Sequence, residues 1–141
     1  LIDGVNPLAP RTLERLTRLA PSKIVILGPD ALFSAGVRSA LAAVAPLQTL
    51  TGGDASWRSA VVWGDFTSSR WASLATVDNF PDALAAVPFS SMDPASPLML
   101  VPKGCVPTAV RDQISRLGSD RLALFGGPAA LSESVESLQP C

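Results

Sequence analysis

A few short stretches of this chain hold the groups able to do chemistry. Val77-Asp78-Asn79-Phe80-Pro81-Asp82 gathers carboxylates and an amide around one proline. Asn79 and Asp82 can hydrogen-bond a ligand, or can simply cap and polarise a helix start, since short side-chain oxygens accept from free backbone N–H groups. Asp82 has no acid–base partner identifiable in the sequence, and glycoside hydrolysis uses a pair of carboxylates. Gly126-Gly127 would let a phosphate or sugar approach the backbone at a helix N-terminus. It lacks the wider glycine pattern and the lysine of nucleotide loops, and Gly28-Pro29 in a similar setting points to a plain tight turn instead. Arg58, Arg70, Lys103 and Arg121 can form charge-assisted hydrogen bonds to acid groups, or stay solvated. Trp57, Trp63 and Trp71 can stack on sugar rings. Trp57 and Trp63 do not share a helix face, and at least two of the three are expected in the core or an interface.

The chain has no histidine and only two cysteines. Histidine-dependent triads and histidine-ligated metals are therefore excluded, and two thiolates cannot complete a tetrahedral zinc site unless a second chain contributes. No metal and no cofactor is expected. The net charge of −1 gives no basic footprint for nucleic acid. No apolar run approaches bilayer length. A hydrophobic content of 48% with 16% charged residues supports a packed core, and 141 residues bound it to about one domain.

The elements that would position these groups alternate along the chain. Trp71 to Val77 is an apolar strand. Helix-start chemistry follows, with Asp78 or Asn79 as cap, Pro81 in the first turn and Asp82 at the positive end of the dipole. The helix over Ala83 to Val87 is apolar nearly all round and is expected to be buried. Before it come a helix from Pro10 to Leu19, a strand Lys23–Gly28, a helix Leu32–Val44 with Ser34 as cap, a strand Leu47–Leu50, and a helix capped by Asp54. After it come a strand Pro97–Val101, a helix Pro107–Leu117, a strand Arg121–Phe125, and a helix Leu131–Leu138 with Ser132 near its start. The strands are continuous apolar runs, as in a sheet covered on both faces. The expected fold is α/β: a parallel sheet with helices on both faces, a three-layer Rossmann- or flavodoxin-like arrangement.

An internal repeat underlies the alternation. Leu19-Ala20-Pro21-Ser22-Lys23-Ile24-Val25-Ile26-Leu27-Gly28 lies over Leu117-Gly118-Ser119-Asp120-Arg121-Leu122-Ala123-Leu124-Phe125-Gly126. The same shift carries Ala31 onto Ala129, Ser34 onto Ser132 and Val37 onto Val135. The expectation is about one and a half tandem repeats: residues 1–48 as the C-terminal half of a first repeat and 49–141 as a complete second, together one compact unit. Units of this kind share a core with their neighbours, so tandem or oligomeric assembly is expected. Leu1-Ile2 before Asp3-Gly4 reads as the end of a strand. That suggests a processed chain whose N-terminal part lies elsewhere, and a chain without a signal peptide matches a mature secreted one.

These residues resemble the cell wall-binding repeat 2 family of secreted Gram-positive and actinobacterial proteins. The resemblance rests on Asn79-Phe80-Pro81-Asp82-Ala83-Leu84, on Pro97-Leu98-Met99-Leu100-Val101 before a proline-started helix, and on Gly126-Gly127 followed by Leu131-Ser132-Glu133-Ser134-Val135. It implies a non-enzymatic module, usually in threes about a pseudo-threefold axis, that holds surface proteins on the wall by binding an anionic polymer. Carried over residue by residue, it marks Asp54, Arg58, Asn79, Phe80, Asp82, Gly126 and Gly127 as ligand-binding candidates. Family members often have Arg directly after the Asp of the Gly turn. Here Gly53-Asp54-Ala55-Ser56-Trp57-Arg58 lacks it, and Arg58 is the candidate replacement.

In an exported protein two cysteines usually pair, so a Cys105–Cys141 disulfide is expected, with two free thiols as the alternative. The sequence thus points to a secreted, cell-wall-associated module without catalytic activity. Its expected partners are an anionic polysaccharide or teichoic-acid-like polymer, further repeats or another fragment of the same protein, and its own copies. The rival readings are a structural or oligomerisation domain of a larger extracellular protein, and a small Rossmann-like hydrolase, which the missing histidine disfavours.

Overall fold

The computed structural model describes residues 4–92 and 96–141. The strand end read at Leu1-Ile2 lies outside the described residues. The chain divides into two compact units, Leu1–Gly52 and Gly53–Cys141.

The first unit runs α1 (Pro10–Leu19), β1 (Ile24–Leu27), a single 3-10 turn at Asp30–Leu32, α2 (Ala35–Ala42) and β2 (Leu47–Leu50). Pro10 opens α1, where a missing N–H costs nothing. Ser34 caps α2, its Oγ accepting from Val37 N at 3.3 Å. β1 and β2 pair in parallel with Ile24 opposite Leu47. Ile26, Val37 and Leu41 form the core of this unit, with Leu16, Phe33 and Leu47 packed around them.

The second unit runs α3 (Ala55–Val61), β3 (Trp71–Thr76), α4 (Phe80–Met92), β4 (Leu98–Val101), α5 (Thr108–Leu117), β5 (Arg121–Phe125) and α6 (Glu133–Glu136). Its three strands form a parallel sheet in the order β4-β3-β5. The central strand β3 is buried from Ala72 to Thr76, as a strand covered on both faces should be. Its Ser73 hydroxyl, fully buried, meets the Ser96 and Ser90 hydroxyls at 3.4 Å, so the polar group is not stranded. Leu74, Met99, Val101, Val106, Val110 and Val135 belong to one core cluster. Trp63 packs against that cluster and donates its indole N–H to the Leu98 carbonyl at 3.2 Å. Trp71 meets Phe89 edge-on, Phe89 meets Phe125, and Arg121 lies 5.4 Å above the Trp71 ring.

The repeated segments share local geometry as well as sequence. α1 ends on Ala20 at φ 44° and α5 on Gly118 at φ 65°, both left-handed. Gly28 after β1 and Gly126 after β5 have φ of 129° and 116°, a region that suits glycine. Val37 and Val135, matched by the same shift, are both fully enclosed.

Two local expectations give way. Asp78 and Asn79 do not cap α4: among the described residues neither offers its side chain to a backbone N–H of that helix, because the Asp78 carboxylate turns back to Thr76 Oγ1. Nor is α4 buried all round. It packs on β3, β4 and β5, burying Ala86 completely, while Phe80, Leu84 and Val87 remain 71%, 62% and 53% exposed. The sheet covers one side of the helix only. α4 also continues through Pro88, which has no N–H for the Leu84 carbonyl.

Cys105 and Cys141 form a disulfide with Cα atoms 4.9 Å apart. Beside it, Val106 N donates to the Gln139 carbonyl at 2.7 Å, so the chain end is held by a covalent and a backbone link together.

Candidate binding site

Parallel pairing sets Thr76 opposite Val101 and Ala75 opposite Phe125. The carboxyl ends of β4, β3 and β5 therefore finish side by side, and the loops after them converge, as open α/β sheets require. Between those loops lies a crevice of about 250 Å³. Thr76, Asp78, Asn79, Asp82 and Lys103 line it, with Ala129 and Ala130 closing one wall.

Each polar side chain is placed by a specific local feature. Thr76, 4% exposed, ends the central strand. Its hydroxyl accepts from Asp78 N at 3.2 Å and donates to Asp78 Oδ2 at 3.4 Å, which folds the turn into α4. Asp82 sits in the first turn of α4, where the helix dipole favours its charge. Lys103 follows β4, and its carbonyl accepts from Ser132 N at 2.9 Å, which ties the β4–α5 loop to the β5–α6 loop. Among the described residues the side chains of Asn79, Asp82 and Lys103 make no hydrogen bond or ion pair. Their capacity is open to a ligand or to water.

The β5–α6 loop separates this crevice from a smaller one of about 160 Å³, lined by Gly126, Gly127, Ser132, Glu133 and Glu136 among others. Ser132 stands at the N-cap of α6, yet its hydroxyl makes no cap bond and is a buried oxygen without a partner among the described residues.

Of the residues singled out in the sequence, Asn79, Asp82 and Lys103 meet in the larger crevice. Gly126 abuts Asp82, and Gly126 and Gly127 border the smaller crevice. Phe80 is exposed and lines neither. Asp54 and Arg58 belong to the start of α3. Asp54 Oδ1 caps that helix through Trp57 N at 2.8 Å, and Arg58 donates to the Gly53 carbonyl at 2.6 Å. Arg70 pairs with Asp120 at 3.9 Å with both side chains largely exposed, a contact of small energetic weight. Arg121 rests over Trp71. The crevice adds Thr76 and Asp78, so Asp82 is not a lone carboxylate. A usable signal existed for Asp78: it lies just past the carboxyl end of a strand, as Lys103 does.

The site offers hydroxyl, amide, carboxylate and ammonium groups suited to holding a polar ligand. Among the described residues no three metal-ligating side chains gather, and no helix is long and apolar enough to cross a membrane.

A model of cell wall binding domain 2, CWB2, matches residues 9–136. The chain belongs to this family. Cell-wall binding is the function that CWB2 membership carries. Among solved structures the chain resembles Cwp6 from Clostridium difficile, with a TM-score of 0.77 at 20% identity. The match covers 94% of this chain and 22% of that one, so the chain spans less than a quarter of the neighbour's length. At that identity the likeness concerns the fold. No curated protein matches the chain.

Proposed function

We propose that this CWB2 chain is a non-catalytic, secreted module that holds a larger protein non-covalently on the bacterial cell wall. It binds an anionic wall polymer at the crevice where β3, β4 and β5 end. The observation that carries this reading is the convergence of Asn79, Asp82 and Lys103, unpartnered among the described residues, at the strand ends of a domain that matches CWB2 over 9–136. Lys103 receives the polymer's acid groups. Asn79 and Thr76 address its hydroxyls. Further repeats of the same protein extend the contact, and many weak sites on one chain multiply into firm attachment.

The test is co-sedimentation with isolated Gram-positive walls before and after their anionic polymers are stripped. Pelleting that disappears on stripping supports this function. Equal pelleting with both preparations sinks the anionic-polymer assignment.

A second reading is favoured by the exposed Phe80, Leu84 and Val87 on α4. Apolar residues at that spacing form one stripe along a helix, and such a stripe suits assembly with further repeats or another copy. Sedimentation velocity of the free chain, with Leu84→Ser as comparison, checks it: a concentration-dependent oligomer abolished by the substitution supports assembly, and a monomer at all concentrations removes self-association.

A further inference from the structure

The charges around the β5–α6 loop fit a plain polyanion poorly. In the larger crevice Asp78 and Asp82 supply two carboxylates against the single ammonium of Lys103. On the other side of the same loop Glu133 and Glu136 line the smaller crevice, with no basic side chain among its lining residues. Asp82 cannot turn its charge into an internal pair, because no cation contacts it among the described residues. Gly126 makes room for the Asp82 carboxylate beside the loop: a Cβ there would stand 2.7 Å from Asp82 Oδ2.

We propose that the polymer unit bound at this crevice carries a free primary ammonium beside its acid group, with Asp82 and Asp78 taking the ammonium and Lys103 the acid. This deepens the wall-binding function proposed above and rests on it. An ammonium offers three donors, and carboxylates are acceptors only. Asp82 offers both carboxylate oxygens as acceptors, and Asp78, whose Oδ2 is already near Thr76 Oγ1, lines the same crevice. Opposite charges on ligand and site then pair in register, which sets the orientation of the polymer and excludes wall chains lacking the amine. A divalent cation bridging the carboxylates to an acid group is the competing source of positive charge. The described residues gather no three metal-ligating side chains, and hard cations of this kind take six or more oxygens.

The experiment is co-sedimentation of the full chain with four wall preparations: native, N-acetylated to neutralise free amines, stripped of anionic polymer, and native with chelator. Stripping removes the whole ligand, whereas acetylation removes only its positive charge. The expected result is an apparent affinity lowered about tenfold or more by acetylation, the scale of a hydrogen bond between charged groups, and unchanged by chelator. Asp82→Asn should weaken binding to native walls by a similar factor while adding little on acetylated walls. Binding lost on stripping but indifferent to acetylation overturns the ammonium and leaves the wall-binding function standing. Binding lost with chelator assigns the charge to a metal and also overturns it. No pelleting with native walls overturns both. The acetylation arm uses the unaltered chain, so a variant that folds badly does not blunt the test.

Discussion

Asp82 Oδ2 stands 2.7 Å from the point where a Cβ on Gly126 would lie, and Ala130 Cβ stands 2.8 Å from it. The start of α4 and the loop after β5 thus meet at a position without room for a side chain. Gly126 also holds φ at 116°, which L-residues rarely adopt. Gly126→Ala should therefore destabilise the second unit by about 1–3 kcal/mol and push Asp82 off its place. Urea unfolding reads the first effect and wall co-sedimentation the second. Gly127→Ala is the matched control, since nothing lies within 4 Å of a Cβ there; equal losses for the two variants would refute the steric argument.

Asp54 separates a structural role from a binding one. Its carboxylate caps α3 through Trp57 N, and it lines neither crevice. Asp54→Ala should cost about 1 kcal/mol of stability, as loss of a cap does, and leave wall affinity unchanged. Asp54→Ser, which can also cap, should recover most of the stability. A wall-binding defect in both variants at full folding would return Asp54 to the list of ligand contacts and place Arg58 beside it.

The disulfide acts on both stability and site. Cys105 lies two positions after Lys103, on the loop that also binds Ser132 N. Closing the 36-residue span should contribute about 4 kcal/mol in the chain-entropy model. Cys105→Ser with Cys141→Ser should lower the urea midpoint accordingly, and a reductant should do the same to the parent chain. An unaltered midpoint in both would mean that the Val106–Gln139 backbone link suffices.

The alternation of strands and helices was legible because parallel, doubly covered strands are written as apolar runs such as Leu98-Met99-Leu100-Val101. The repeat was legible because Leu19 to Gly28 and Leu117 to Gly126 keep their apolar and glycine positions. The division of the strands into two sheets was not, because pairing partners are chosen by contacts across the chain and leave no local mark. The crevice was half legible. Asn79 and Asp82 stand in a recognisable strand-to-helix turn, but Asp78 was read as a cap because local chemistry cannot show that Thr76 offers its carboxylate a competing hydroxyl. Lys103 was legible only as one of four cations that could meet an acid group or stay solvated, and the pairing of β4 with β3 is what sets it in the crevice. The exposure of Phe80, Leu84 and Val87 ran against pattern reasoning, which counts apolar residues around a helix and cannot count the surfaces available to cover them.

The repeat makes one last prediction, on the residue where its two copies differ at a helix end. α5 ends on Gly118 at φ 65°, and α1 ends on Ala20 at φ 44°. Both caps are left-handed, and both return a backbone N–H to a carbonyl of the last turn, Ala20 N to Thr17 at 3.1 Å and Gly118 N to Ser115 at 3.0 Å. For alanine this conformation costs about 1–2 kcal/mol through the approach of its Cβ to the following carbonyl, and glycine escapes that cost. Glycine also loses more freedom on folding, which offsets roughly half of the gain. Ala20→Gly should therefore stabilise the first unit by about 0.5–1 kcal/mol, read as a raised urea midpoint with an unchanged slope. Because Ala20 lies outside both crevices, wall affinity should not move. The reverse change, Gly118→Ala, should destabilise the second unit by a similar amount, since nothing lies within 4 Å of a Cβ there and the backbone angle alone is at issue. Opposite signs for the two substitutions are the outcome that the shared cap geometry demands; a loss of stability in both would show that Ala20 is held by packing and not merely tolerated.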